Sequence, residues 1–315
     1  MAGKSETDSI KKEDLLPLIA AALKEDVGGR DLTSSVLVPK DQWAKADLVV
    51  RAEGVVAGLQ VAEWVFGQVD PKIRFKPNLK DGDRVHPGKV AAYIEGPARG
   101  ILAAERTALN FFCRLSGIAT LTRRFVDRVR KYKVQIMDTR KTTPTLRFLE
   151  KYAVAMGGGT LHRKGLFDQV LIKDNHLQLV ASRLYSEAGA SVSSLRDRHR
   201  LSAVELAVME ARRKLQQKVL IEVEVRNLQE VRLGLSAQAD ILLLDNMPLA
   251  DIQEAVRLRN AVARSKKERK PLLEVSGGVK LENVESIAAA GVDRISIGAL
   301  THSALALDAA IDVVG

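Results

Sequence analysis

Short apolar or β-branched runs recur through the second half of the chain, at Val134–Met137, Val170–Ile172, Val219–Val225, Ile241–Leu244, Leu272–Val275 and Arg294–Ile297. Between some of them, Ala203–Leu215 and Leu281–Ala290 carry apolar residues at helical spacing. Alternating strand and helix signals predict a parallel α/β sheet, open or closed into a barrel. The first hundred residues read differently. Glu13–Leu23 has helical spacing, with Pro17 expected in the first turn. Ala46–Val56 alternates as a strand, Lys80–Gly88 is rich in turn residues, and Val90–Ile94 forms a strand beyond it. These predict an α+β region with antiparallel strands. Ile101–Leu115 follows as a helix, with Leu102, Leu109, Phe112 and Leu115 as its apolar positions and Arg106 and Asn110 sharing a polar face. The pattern changes after Gly117. The polar stretch Ser182–Ser202 is expected to hold an irregular excursion.

Polar residues gather where the predicted strands end. Asp138, Thr139, Arg140 and Lys141 follow the first, and Lys173, Asp174, Asn175 and His176 follow the second. Glu222, Glu224 and Arg226 lie in or after the third, Asp245 and Asn246 after the fourth, and Ser276, Gly277 and Gly278 after the fifth; Ser296 and Gly298 close the sixth. In parallel α/β barrels, sites lie at the carboxyl ends of the strands. Six ends with such chemistry point to one shared site rather than to solvation alone.

Composition narrows what that site binds. The formal net charge is +10 over 315 residues, which favours an anionic partner. Aromatic residues make up only 4% of the chain, too few for a base-stacking platform. Cations concentrate in Asp138–His176, which holds Arg140, Lys141, Arg147, Lys151, His162, Arg163, Lys164, Lys173 and His176. That density suits a small, highly anionic molecule. Cys113 is the only cysteine, so neither an intramolecular disulfide nor a multi-cysteine metal site is expected. The polar N-terminus lacks a signal-peptide core, and no apolar run reaches membrane-spanning length. A cytoplasmic protein with no membrane partner is expected.

Ser276-Gly277-Gly278 and Ser296-Ile297-Gly298 suit backbone contacts to a phosphate, although glycine after a strand is more often a simple turn. Glu224 and Asp245 read either as ion-pair partners or as acceptors for vicinal sugar hydroxyls that also stabilise charge at an anomeric carbon. His162 is either a structural histidine or, beside Arg163 and Lys164, part of an anion site. Gly157-Gly158-Gly159 lacks the Lys-Ser/Thr of a P-loop, and no zinc-binding histidine spacing occurs. A phosphate cradle, two carboxylates and surplus cations together fit phosphoribosyl transfer.

At this point the segments LKEDVGGRDLTS, KDGDRVHPG, GPARGILAAERTALNFFCRLSGIATLT, DTRKTTPTLRFLEKYAVAMGGGTLHRKGLFDQVLIKDNHL, IEVEVRN, ADILLLDNM, LEVSGGV and GVDRISIGALTHS become recognisable. In order and over nearly the whole chain, they resemble the quinolinate phosphoribosyltransferase family, also called nicotinate-nucleotide pyrophosphorylase (carboxylating). The polar stretch Ser182–Ser202 and the basic loop Ala263–Lys270 depart from it.

The resemblance implies an N-terminal α/β sandwich over residues 1–117. It also implies a partly open parallel α/β barrel of roughly seven strands over 118–302, with residues 303–315 returning to the first domain. The implied reaction converts quinolinate and phosphoribosyl diphosphate (PRPP) to nicotinate mononucleotide, diphosphate and CO₂, with Mg²⁺. Quinolinate would be bound by Arg106, Arg140, His162 and Arg163. Lys141, Lys173, Glu224 and Asp245 would carry catalysis and, with Thr139, Ser276, Gly277, Gly278, Ser296 and Gly298, hold PRPP. Mg²⁺ would be held mainly through PRPP, with Glu224 and Asp245 as possible protein ligands. Arg106 would enter the neighbouring subunit's site, which requires at least a homodimer. Two alternatives remain. One is a homologue with a changed substrate, such as the molybdenum-locus relative. The other is a basic nucleic-acid-binding protein, disfavoured because the cations cluster at strand ends rather than along a stripe.

Overall fold

The computed structural model describes residues 11–188, 196–215, 219–265 and 270–314. The chain opens with α1 (Lys12–Val27), α2 (Leu32–Leu37), β1 (Trp43–Val50), β2 (Gly54–Val55) and α3 (Leu59–Val69). Next come β3 (Arg74–Pro77), β4 (Arg84–Val85), β5 (Val90–Pro97), α4 (Ala98–Arg128), β6 (Gln135–Met137) and α5 (Arg147–Met156). Then follow β7 (Val170–Ile172), α6 (Asp174–Ala188), α7 (Arg196–Lys214), β8 (Ile221–Val225), α8 (Leu228–Ser236) and β9 (Ile241–Asp245). The chain ends with α9 (Leu249–Ser265), β10 (Leu272–Ser276), α10 (Val284–Ala289), β11 (Arg294–Ser296), α11 (Ala299–His302) and β12 (Ala309–Val314).

Two compact units form. One holds the described residues through Arg124, then Lys141–Thr160, and those from Gly298 onward; the other holds Phe125–Arg140 and the described residues between Leu161 and Ile297. This division differs from a boundary at residue 117, because Lys141–Thr160 is bound into the first unit. Glu150 on α5 pairs with Arg114 on α4 there, and Gly157 passes so close to α4 that a Cβ on it would lie 2.5 Å from Ala119 O.

The first unit is built on an antiparallel sheet of order β12-β1-β5-β3. The C-terminal strand pairs with β1, setting Ile311 opposite Leu48. Ala46, Leu48 and Val50 alternate onto the buried face of β1, as a sheet with one wet face requires. Asp81, in the turn read from the sequence, accepts the N–H groups of Gly58 at 2.8 Å and Leu59 at 3.1 Å. It thereby serves the start of α3, where Gly58 has no side chain of its own to cap the helix.

Three local expectations are corrected in this unit. Pro17 lies in the second turn of α1, which begins at Lys12. The strand expected over Ala46–Val56 is two strands, β1 and β2, joined by a bend. The helix expected to stop near Leu115 runs through Gly117 to Arg128. Gly117 is a packing residue here: a Cβ would lie 2.0 Å from Leu305 O, so the absence of a side chain admits the C-terminal segment against the helix.

The second unit holds six parallel strands in the order β6-β11-β10-β9-β8-β7, against roughly seven expected. All six coincide with the apolar runs read from the sequence. Register and pleat sort their side chains onto two faces. Val223, Val225, Leu242, Leu244, Leu273, Val275 and Ile295 are buried on one; α7 and α8 pack against β8, and α8 against β9. The other face carries Glu222, Glu224, Asp245, Glu274, Ser276 and Ser296, whose register places Asp245 beside Ser276 and Ser276 beside Ser296. The polar stretch expected to be irregular is largely the ends of α6 and α7; residues 189–195 and most of the basic loop, 266–269, lie outside the described residues.

Candidate active site

The second unit gathers most of the predicted chemistry at the carboxyl ends of its strands. Lys173 follows β7, and its backbone N–H donates to His176 Nδ1 at 2.9 Å. Its Nζ lies 3.6 Å from Glu224 Oε2 on the neighbouring β8. Glu224 is buried while Lys173 is half exposed, so the lysine reaches outward from a fixed carboxylate.

Arg226, named in the sequence pattern but given no role, joins the acidic groups. Its guanidinium lies 3.2 Å from Asp174 Oδ1, 3.7 Å from Glu224 Oε1 and 3.9 Å from Asp245 Oδ2. Glu224 and Asp245 therefore converge on one cation although they sit on different strands. Such a pair of hard oxygen donors also fits a divalent cation that arrives with a phosphorylated substrate.

The turn after β10 is built from glycine for conformational reasons. Gly277 has φ +88° and Gly278 φ +63°, a region other residues enter only with strain. A Cβ at Gly277 would lie 2.3 Å from Asn246 Oδ1. Asn246, itself at φ +52°, donates its backbone N–H to Ser276 O at 2.9 Å, which ties the ends of β9 and β10 together. Ser296 is 2% exposed, and its hydroxyl donates to Val275 O at 3.5 Å, so its side chain faces the protein interior.

Arg140 and Arg163 form the cationic side of the unit, with Thr139 half-buried beside Arg140. Arg163 is 8% exposed. Burial, and then the nearby Arg140 charge, lower its proton affinity from the usual arginine value. Two guanidinium groups held close enough to repel form a ready site for an anion. Arg163 Nη1 is anchored by a hydrogen bond to Gln169 O at 3.2 Å.

His162, expected to touch quinolinate directly, has both ring nitrogens engaged within the protein. Nδ1 accepts the Arg163 backbone N–H at 2.7 Å. Nε2 lies 3.3 Å from Glu222 Oε2 and 3.3 Å from Glu274 Oε1. The backbone N–H of His162 donates to Asp138 Oδ1 at 2.7 Å. Burial alone would lower the His162 pKa, but the bonds and charges of Glu222 and Glu274 outweigh it and raise it to about 9. Burial and the Glu274 charge also push Glu222 upward. A doubly protonated ring cannot accept at Nδ1, so the proton affinity that the two carboxylates raise at His162 is opposed by its bond from the Arg163 N–H.

Glu274 was missed by sequence reasoning. A single acid inside Leu272–Ser276 looks like part of a core strand, and only the alternation that puts it on the face of Glu222 and Glu224 would have revealed it.

The first unit holds the remaining predicted residues. Arg106 is exposed on α4, one turn from exposed Asn110. Lys141 is exposed, and its backbone carbonyl accepts from Thr301 Oγ1 at 2.7 Å. Gly298 lies against its side chain: a Cβ there would be 3.0 Å from Lys141 Cδ. Within the cation-rich run, Lys151 is buried in α5, and Arg147 Nε donates to Thr142 Oγ1 at 3.0 Å.

Comparison with known proteins identifies the family. The model of the quinolinate phosphoribosyl transferase N-terminal domain matches residues 31–116, and that of the C-terminal domain matches residues 118–312. The chain belongs to the quinolinate phosphoribosyltransferase family. It is 41% identical over 300 residues to the nicotinate-nucleotide pyrophosphorylase [carboxylating] of Mycobacterium leprae, covering 94% of this chain and 95% of that one. The probable nicotinate-nucleotide pyrophosphorylase [carboxylating] of Bacillus subtilis is 38% identical over 289 residues, covering 92% and 90%. Among solved structures, the nicotinate-nucleotide pyrophosphorylase of Francisella tularensis superposes with a TM-score of 0.82 at 35% identity, covering 99% of this chain and all of that one.

Proposed function

We propose that this protein transfers the phosphoribosyl group of PRPP to the ring nitrogen of quinolinate and releases diphosphate and CO₂, giving nicotinate mononucleotide for NAD biosynthesis. The observation that carries this reading is the opposition of chemistries in the second unit. Arg140 and Arg163 crowd positive charge together, while Glu224 and Asp245 converge on Arg226. A dicarboxylate answers the first pair, and a ribose with its departing diphosphate answers the second.

Arg140 and Arg163, with Arg106 from a second copy of the chain, bind the carboxylates of quinolinate; guanidinium groups suit bidentate contact. Glu224 and Asp245 accept hydrogen bonds from the ribose hydroxyls and stabilise positive charge at the anomeric carbon. Lys141 and Lys173 hold the diphosphate and neutralise it as the C–O bond breaks; a well-aimed group of this kind contributes about 3–4 kcal/mol. Thr139, the Ser276–Gly278 turn, Ser296 and Gly298 surround phosphate oxygens, Ser296 through its backbone. Glu224 and Asp245 would hold a Mg²⁺ ion that arrives with the diphosphate, and the ion would further neutralise the leaving group. Once the ring nitrogen carries the ribose it is cationic, and electrons from the departing 2-carboxylate flow into it. The carbon left behind takes a proton.

A homodimer follows from this reading, since exposed Arg106 has its role in the partner's site. Steady-state assays with quinolinate and with nicotinate test the substrate. Turnover of quinolinate alone is expected. Robust nicotinate turnover without CO₂ would instead favour the changed-substrate homologue.

A further inference from the structure

We propose that Glu222 and Glu274 are positioning residues which act through His162 and Gln169 to hold Arg163 in the geometry that receives a quinolinate carboxylate. The inference rests on the reading of Arg163 as a quinolinate ligand. Both glutamates are fully buried, where a carboxylate is expensive unless it is paired. Their cross-strand partners on the same face, Ile241 for Glu222 and Leu243 for Glu274, are apolar, so neither position needs an acid to complete the sheet.

Two connected paths run from Glu222 to Arg163. In the first, Glu222 Oε2 accepts from Gln169 Nε2 at 2.7 Å, and the backbone carbonyl of Gln169 accepts from Arg163 Nη1 at 3.2 Å. In the second, Glu222 and Glu274 flank His162 Nε2 at 3.3 Å each, and His162 Nδ1 accepts the backbone N–H of Arg163 at 2.7 Å. One path fixes the guanidinium and the other fixes the main chain. Asp138, fully buried, holds the backbone of His162 from β6.

A metal ion is the rival occupant, since His162, Glu222 and Glu274 offer ligand atoms within 4.8 Å of one another. The surroundings oppose it. Glu222 Oε2 already accepts from Gln169, and Arg294 Nη1 faces Glu274 Oε2 at 3.8 Å. The Arg163 and Arg140 charges lie nearby. The carboxylate charges thus face the His162 ring and Arg294 at ion-pair distance, although Glu222 Oε1 and both Glu274 oxygens accept no hydrogen bond among the described residues. The groups that face the cluster are Glu222 on β8, Glu274 on β10, Arg294 on β11, Asp138 and Arg140 at the end of β6, and Arg163 and Asp168 on the loop before β7.

The test compares Glu222→Gln, Glu274→Gln and Gln169→Ala with Arg163→Ala, reading KM for each substrate and kcat. Each positioning variant is expected to raise the quinolinate KM on the order of tenfold, since small displacements of a binding group are costly. The PRPP KM is expected to stay within about twofold. An unchanged quinolinate KM in the folded variants, beside a raised one in Arg163→Ala, overturns the proposal. Equal rises in both KM values also overturn it. If Arg163→Ala itself leaves quinolinate binding intact, the ligand reading fails. Gln169→Ala leaves both carboxylates in place, so the measurement survives if a glutamate variant does not fold.

Discussion

Arg114 Nη2 lies 2.7 Å from Glu150 Oε1, and this pair ties the helix that carries Arg106 to the segment that carries Lys141. Glu150 is fully buried and also accepts from Thr143 Oγ1 at 2.8 Å and Thr143 N at 3.1 Å. Arg114 donates in turn to the carbonyls of Thr301 and Ala304, and Thr301 holds the Lys141 carbonyl. Glu150→Ala leaves Arg114 partly exposed and still bonded to two carbonyls, so a loss of about 1–3 kcal/mol of stability is expected, read by urea denaturation. The double variant Arg114→Met/Glu150→Leu is expected to regain part of that stability but not kcat, because Thr143 loses its acceptor and Thr301 loses its Arg114 contact.

The His162 cluster gives a pH dependence of defined sign. The pKa of His162 is raised from 6.5 to about 9 in the folded protein. The stabilisation is therefore complete below pH 6.5 and fades as pH rises through about 9. Protonation also costs the bond that Nδ1 accepts from the Arg163 N–H, which offsets part of this gain. In His162→Gln, stability is expected to be flatter between those limits, as measured by denaturation midpoints across pH.

Gly277 is held to glycine by both its φ and its neighbour. Gly277→Ala forces a shift of Asn246 and of the turn after β10. The PRPP KM is expected to rise at least about tenfold while the quinolinate KM changes little; tenfold corresponds to about 1.4 kcal/mol. Substrate titrations check this.

Exposed Arg106 lies away from its own chain's core on α4. Arg106→Ala and Lys141→Ala are each expected to abolish turnover. Mixing the two inactive proteins is expected to restore part of it through hybrid dimers. No recovery after verified subunit exchange would count against a shared site.

Much of the second unit was legible because its signals were local. Each β-branched run became a strand, and β7, β8, β9 and β10 end in the polar residues read from the sequence, with Lys173 and Glu224 meeting between neighbouring strands, whereas Lys141 and Gly298 fall in the first unit. The short helix α2 has a local signal that went unread, the N-cap Asp31 accepting the N–H of Ser34 at 2.9 Å, whereas the start of α3 depends on distant Asp81. Gly117 resembled a helix terminator but serves a contact with Leu305, far along the chain. The bonding of His162 was not legible, because the two glutamates that flank it come from strands far along the chain. Glu274 was hidden for the same reason.

The central claim is a transfer coupled to decarboxylation, and the direct measurement is the yield of labelled CO₂ from quinolinate carrying the label in its 2-carboxylate, with PRPP and Mg²⁺. The account predicts CO₂, diphosphate and nicotinate mononucleotide in equal amounts, with none of the three formed when PRPP is omitted. Diphosphate release without CO₂, or no turnover of quinolinate by folded protein, would contradict it.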